Sequence, residues 1–131
     1  MFEIKKTFII SAAHYLNLDY ESKCKNSHGH NWKITVYCRS GILDKNGMVV
    51  DFVEIKRKIE DRLDHTILND IADLGWYCPH PGQDERVQAK QNPTAERIAE
   101  WICMQIDKCY RVDVEEVEGS VATYIDDSAE V

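Results

Sequence analysis

The stretch His28-Gly29-His30-Asn31-Trp32-Lys33-Ile34-Thr35-Val36-Tyr37-Cys38-Arg39 decides the fold. Trp32, Ile34, Val36 and Cys38 fall on one face of an extended chain, and Lys33, Thr35, Tyr37 and Arg39 fall on the other. Alternation of this kind is the period of a half-buried β-strand. Upstream, Phe2, Ile4, Phe8 and Ile10 alternate in the same way, with Lys6 interrupting. Two such strands joined by a loop predict an antiparallel pair. The loop, at about residues 15–27, is long, polar and carries Cys24. Loops of that length in a compact domain are often functional.

Downstream, Asp44 to Gly47 is a turn signal. Asp51 followed by Glu54 fits a helix N-cap with a capping-box partner. Ile55, Ile59 and Leu63 then form an amphipathic stripe, with the helix ending near residues 64–69. Residues 71–91 contain Trp76, two of the three prolines and Gly82, and read as an irregular surface excursion. Asn92 reads as the cap of a second helix with Pro93 at its first position. Ile98, Ile102 and Ile106 mark that helix's buried face. Val112, Val114 and Glu116 alternate as a third strand, and Val121 to Ile125 complete a fourth after a bend at Gly119-Ser120. The expectation is one α+β domain over residues 1–131, with a four-stranded antiparallel sheet and two helices on one face.

The formal net charge of -7 argues against a nucleic-acid partner, which favours basic proteins. An anionic substrate would need local positive charge to overcome that field. No apolar run approaches the roughly 18–20 residues that span a membrane, so no membrane partner is expected. MFEIKKTFIIS at the N-terminus lacks the apolar core and cleavage site of a signal peptide. With five cysteines, an odd number, reduced thiols in the cytoplasm are the expectation. Cys38 and Cys103 lie in apolar patterns and read as core residues.

Three of the five histidines lie within seventeen residues. His28 and His30, at i and i+2 of an extended segment, point to one face. Gly29 between them lets backbone or ligand approach closely. His14 lies just past the first strand, where strand pairing brings it opposite the other two. Three neutral imidazoles suit Zn(2+) and leave a fourth position open for water or substrate. Cys24 admits two readings: a fourth ligand that closes the site, or a nucleophile or base activated by the metal and by Lys23 and Lys25. His65 follows Asp64, a carboxylate able to fix its tautomer and raise its basicity. Glu116 shares a face with Val112 and Val114, and if that face is inward its carboxylate must be paired.

These residues resemble the 6-pyruvoyltetrahydropterin synthase and 6-carboxytetrahydropterin synthase family. The resemblance runs through Phe8-Ile9-Ile10-Ser11-Ala12-Ala13-His14 and Cys24-Lys25-Asn26-Ser27-His28-Gly29-His30-Asn31. It continues through Gly47 to Phe52, Leu63 to Asp70, Asn92 to Glu96 and Val112 to Glu116. It implies a tunnelling (T-fold) domain that assembles as a homo-oligomer, a hexamer built as a dimer of trimers, with pterin pockets at subunit interfaces. It further implies His14, His28 and His30 as zinc ligands, Cys24 as catalytic thiol, Asp64 and His65 as a proton relay, and Glu116 as the anchor of the pterin's aminopyrimidine edge. The three residues between Cys24 and His28 are similar to the spacing in bacterial 6-carboxytetrahydropterin synthases of the queuosine pathway. That branch converts 7,8-dihydroneopterin triphosphate with loss of triphosphate and acetaldehyde.

Two departures from the family pattern stand out. Glu116-Val117-Glu118-Gly119 replaces the usual polar turn, so a shifted register would put Glu115 or Glu118 in the anchoring role. The connector at 71–91 is long and carries Cys78 and His80, too few ligands for a second metal site. The alternatives are a 6-pyruvoyl-type or other pterin side-chain activity, and a non-catalytic zinc-stabilised assembly protein.

Overall fold

The alternation that begins at His28 becomes the central strand of a five-stranded sheet in the computed structural model, which describes residues 1–71, 74, 76–77, 89–90 and 92–127. That strand, β2 (His28–Ser40), pairs antiparallel along its whole length with β1 (Phe2–His14). Its other edge pairs antiparallel with β6 (Cys109–Val117), which pairs in turn with β7 (Ser120–Ile125). Trp32, Ile34, Val36 and Cys38 are fully buried, as their spacing predicts. The buried indole N–H of Trp32 donates to the Ala12 carbonyl at 3.1 Å, so this large side chain leaves no orphan donor in the core.

The expectation of four antiparallel strands needs one correction. A fifth strand, β3 (Thr66–Ile67), adds to the outer edge of β1 in the parallel sense. Two residues carry no readable period. Contacts just upstream tie this short strand to β1: the Ser11 N–H donates to Asp64 Oδ1 at 2.8 Å, and the His65 N–H donates to the Ser11 carbonyl at 2.6 Å.

The first helical region carries the expected stripe but an unexpected geometry. Helix α1 (Phe52–Ile55) and helix α2 (Asp61–Leu63) are joined by a π-helical turn, Lys56–Glu60. Ile55, Ile59 and Leu63 are spaced four apart, wider than the α-helical repeat of 3.6. The wider π turn keeps all three on one face, and each is 0% exposed. Asp51 caps α1 by accepting from the Val53 N–H at 2.9 Å. The reciprocal half of the capping box does not form; Glu54 instead pairs with Lys58 at 2.7 Å.

The second helix starts later than its sequence predicts. Helix α3 spans Ala95–Gln105, and Thr94 is its cap, accepting from the Arg97 N–H at 3.3 Å. Asn92 is therefore not the cap and Pro93 not the first helical residue; both serve elsewhere, as shown below. Helix α3 packs across β6 and β7 and also meets the π turn, which lies against β1. Ile98, Ile102 and Ile106 are buried in the core.

Within 71–91, Trp76–Tyr77 (β4) and Ala89–Lys90 (β5) pair antiparallel, so part of this expected irregular segment is a small ribbon. Cys78 and His80 lie outside the described residues. Among the described residues no helix is long and apolar enough to cross a membrane.

The stripe gives a direct test of the packing. Ile59→Ala removes a fully buried side chain from the π turn, which contacts α3 and β1. It should lower unfolding free energy by about 2–5 kcal/mol, read by denaturant titration. A loss below about 0.5 kcal/mol would mean that the π turn does not seat this residue as described.

Candidate metal centre and surrounding groups

Strand pairing places His14 opposite His28, and Ala12 opposite His30. The three imidazoles therefore converge at one end of the sheet, with ring centroids 4.6–5.4 Å apart. They lie on the face that carries Trp32, whose ring sits 4.9 Å from His14 and 5.1 Å from His30. A fourth group joins them. The ladder between β6 and β7 shifts register between Glu115 and Val117, and Glu116 sits at that bulge. Bulges re-aim side chains. This one carries Glu116 Oε1 to 3.2 Å from His14 Nε2 and 3.3 Å from His30 Nε2.

One potential ligand atom from each of His14, His28, His30 and Glu116 lies within 4.8 Å of all the others. Glu115 instead lies on the opposite, open face of the sheet, and Glu118 lies in the exposed turn. Cys24 is outside this cluster, so the fourth group beside the histidines is a carboxylate rather than the thiol.

The tautomers of two rings follow from their neighbours. His14 Nδ1 lies 2.8 Å from the Pro93 carbonyl, and His28 Nδ1 lies 2.7 Å from the Asn26 carbonyl. A carbonyl only accepts, so each Nδ1 carries a hydrogen and Nε2 is the ring nitrogen left to serve as a ligand. Such contacts orient metal-ligating imidazoles. His14 Nε2 and His30 Nε2 are buried and make no hydrogen bond, because the nearby Glu116 oxygen is close without being aligned. Burial is the largest influence on His14 and holds its imidazole below the ordinary histidine value. The Pro93 hydrogen bond and Glu116 act in the opposite direction, while His28 and His30 act with burial. Buried, unpartnered nitrogens beside a carboxylate are a donor set that fits a metal ion.

A second group forms at the edge of β1. Asp64 Oδ2 is 3.1 Å from His65 Nδ1, while its other oxygen takes the Ser11 N–H. The Ser11 bond is the main cause holding the Asp64 carboxyl below its ordinary value; burial acts against it and His65 adds to it. His65 has a left-handed backbone, φ 61°, and its side chain is 81% exposed. It borders a cavity of about 580 Å³ with Ser11, Gly29, Asn31 and Thr66. A Cβ on Gly29 would meet only the Ala12 carbonyl, at an ordinary 3.8 Å. Gly29 therefore borders open space instead of relieving the close backbone approach its position suggests.

Cys24 sits in a single 3₁₀ turn, Lys23–Lys25, capped by Ser22. Its N–H donates to the Ser22 hydroxyl oxygen at 3.1 Å, and its carbonyl accepts from the Leu16 N–H at 2.8 Å. Lys25 pairs with Glu21 at 3.3 Å, which reduces the positive charge it offers the thiol. Among the described residues, Cys24 makes no hydrogen bond to Asp64 or His65. Cys38, Cys103 and Cys109 are buried, as core thiols are. The Cys103 thiol is pushed well above its ordinary value by its contact with Cys109 and by burial, so it is inert as a nucleophile.

Sequence reasoning missed the backbone carbonyls of Pro93 and Asn26, because a carbonyl leaves no residue-type signal. The Asn92-Pro93 pair was the available hint, and its helix-start reading concealed it.

The fold and the cluster together define an α+β T-fold domain with a group of side chains at one end of its sheet that could hold a metal ion. A sequence profile described as 6-pyruvoyl tetrahydropterin synthase matches residues 3–127. The chain belongs to that family. It is 32% identical over 137 residues to a 6-carboxy-5,6,7,8-tetrahydropterin synthase of Synechocystis, covering 95% of this chain and 93% of that one. It is 29% identical to the Bacillus subtilis protein of the same name, covering 94% and 84% respectively. The solved structure of Caenorhabditis elegans 6-pyruvoyl tetrahydropterin synthase shares the fold, with a TM-score of 0.67 at 23% identity over 95% of this chain and 94% of that one.

Proposed function

We propose that this protein is a zinc-dependent lyase that converts 7,8-dihydroneopterin triphosphate to 6-carboxy-5,6,7,8-tetrahydropterin, releasing acetaldehyde and triphosphate. Counting atoms, one water is consumed. The observation that carries the reading is the convergence of three imidazoles, two with buried and unpartnered Nε2 atoms, beside Glu116. Relatives named for this activity support the choice of substrate. The pathway would be queuosine biosynthesis, and the cytoplasm would be its compartment, in keeping with the four free thiols among the described residues.

His14, His28 and His30 would hold the zinc, which when bound polarises substrate oxygens and acidifies neighbouring C–H bonds. Cys24 would move a proton to or from the pterin side chain as thiol or thiolate. His65 would exchange protons with it, oriented through Nδ1 by Asp64. Glu116 would accept two charge-assisted hydrogen bonds from the aminopyrimidine edge. Its position beside the histidines would set the reacting side chain next to the metal.

Incubation with dihydroneopterin triphosphate tests the reading directly. The expected products are 6-carboxytetrahydropterin and acetaldehyde in equal amounts. A 6-pyruvoyl product, or no product from zinc-loaded protein, would overturn it.

Glu116→Gln keeps the shape of the side chain and loses its charge. Pterin affinity should fall about 10- to 100-fold, the worth of one strong charge-assisted pair. Zinc content and melting temperature should change little. Unchanged affinity by calorimetry would move the anchor to Glu115 or Glu118.

Cys24 and His65 make no hydrogen bond to each other, and among the described residues the outer edge of β7 has no partner strand, with Val121 and Ile125 of that strand each 55% exposed. Such edges need cover. The proposed assembly is a homohexamer, a dimer of trimers, in which one copy's Cys24 meets another's His65. Light scattering should report six copies. Mixing inactive Cys24→Ala and inactive His65→Ala chains and reassembling them should regain part of the activity. An active monomer, or no recovery in mixed oligomers, would count against it.

A further inference from the structure

Residues 15–17 lie outside any strand, yet their backbone groups are paired one after another. The Tyr15 N–H donates to Asn69 Oδ1 at 3.0 Å, and the Tyr15 carbonyl accepts from Asn69 Nδ2 at 2.9 Å. Asn92 repeats the pattern two residues on. The Asn17 N–H donates to Asn92 Oδ1 at 2.7 Å, and the Asn17 carbonyl accepts from Asn92 Nδ2 at 2.9 Å. Between them, the Leu16 N–H donates to the Cys24 carbonyl at 2.8 Å.

Each asparagine thus uses its side-chain amide as a neighbouring strand uses a peptide group: one donor and one acceptor on the same residue. Only an amide supplies both. Aspartate has no donor for the carbonyl, and serine is too short to span both groups. Asn69 is 3% exposed, so its two bonds are made away from water, where an unpaired amide is costly.

What the clamp joins gives it meaning. Residue 15 follows His14 directly. Asn92 precedes Pro93, whose carbonyl takes the His14 Nδ1 hydrogen. Leu16, held between the two amides, carries the bond to the Cys24 turn. One short segment therefore fixes both the proposed metal ligand and the proposed thiol.

We propose that Asn69 and Asn92 are positioning residues that clamp residues 15–17 and so set the His14 ring and the Cys24 turn in a fixed relation. This rests on the reading of His14 as a ligand and Cys24 as the reacting thiol. Neither asparagine touches substrate in this role.

The test uses the full-length zinc-loaded protein with Asn92→Asp and Asn92→Ala. Asn92 is half-buried and lies before α3, so both variants are expected to fold. Asp is nearly isosteric, and a residue that merely fills space would tolerate it. It keeps the acceptor, loses the donor and sets a charge against the Asn17 carbonyl. Cys24 alkylation by iodoacetamide, read by peptide mass spectrometry, should accelerate at least about fivefold in both variants, the factor that one lost hydrogen bond allows in local opening. Zinc affinity in chelator competition should fall by roughly tenfold or more, as for other contacts that orient ligands. With turnover, kcat should fall about 10- to 100-fold while KM stays close to wild type, because geometry and not affinity is lost.

Asp51→Ala removes the α1 cap and lowers the melting temperature without touching the clamp, so it should leave alkylation and zinc affinity unchanged. Wild-type alkylation and zinc affinity in Asn92→Asp would overturn the proposal. So would equal changes in Asp51→Ala, which would mark the effect as general destabilisation. A wild-type protein that does not turn over dihydroneopterin triphosphate would remove the proposed reaction, and the alkylation and zinc readouts would still decide the clamp.

Discussion

Cys24→Ala should lose about 10²- to 10⁴-fold in kcat while retaining zinc, oligomer and pterin binding, the range expected when a proton-transferring group is removed. The structure sharpens the reason. The groups around the histidine nitrogens are three imidazoles and a carboxylate, and the thiol is not among them. Its removal would therefore take no ligand from the proposed metal. The Cys24 turn is held through backbone, by Ser22 on one side and Leu16 on the other, and neither contact uses the side chain. Alanine can keep both. His65→Ala should cost a similar factor, and the double variant little more, because each change disables the same proton-transfer unit. Single-turnover kinetics on dihydroneopterin triphosphate, with zinc measured on the same samples, checks this. Loss of zinc in Cys24→Ala would make the thiol a ligand; unchanged turnover would leave the chemistry to the metal and His65.

His28→Ala should reduce bound zinc from about one ion per chain to under roughly a tenth, because two imidazoles make a much weaker site than three. His28 is the informative choice among the three. His14 is 1% exposed and packs against Trp32, so its removal also opens a cavity. His28 is half-buried at the strand's first residue, and the apolar core does not include it. The fold should survive with a melting temperature near that of metal-free wild type. Metal analysis after dialysis checks the count. Full zinc occupancy in this variant would remove the three-histidine centre, and an unfolded variant would show that the metal is structural.

The elements that proved legible were those whose signal is local. Alternation placed β1, β2, β6 and β7, and the Ile55, Ile59, Leu63 stripe placed the first helical region, because burial of one face leaves a period in the sequence. The histidines were legible for the same reason: i and i+2 on a strand share a face, and antiparallel pairing of two long strands brings the residue at the end of one opposite the start of the other. Glu116 was half legible. Its alternation with Val112 and Val114 marked the inward face, but nothing local announced the bulge that turns its carboxylate onto His14 and His30.

Tertiary structure alone decided the rest, because the deciding contacts join residues far apart in the chain. β3 exists through bonds between Ser11 and residues 64 and 65. The His14 tautomer depends on a carbonyl 79 residues away, and a carbonyl is present in every residue, so no residue type points to it. Asn92 carries the same lesson in its simplest form. An asparagine before a proline and a helix-forming run satisfies every local rule for a cap. In the folded chain its amide binds Asn17, 75 residues upstream, and Thr94 caps the helix instead. By itself the sequence determined which faces are buried and which side chains are able to bind a metal. The structure determined which backbone atoms orient them, since a side-chain amide meets a local or a distant peptide group with the same chemistry and only packing selects between the two.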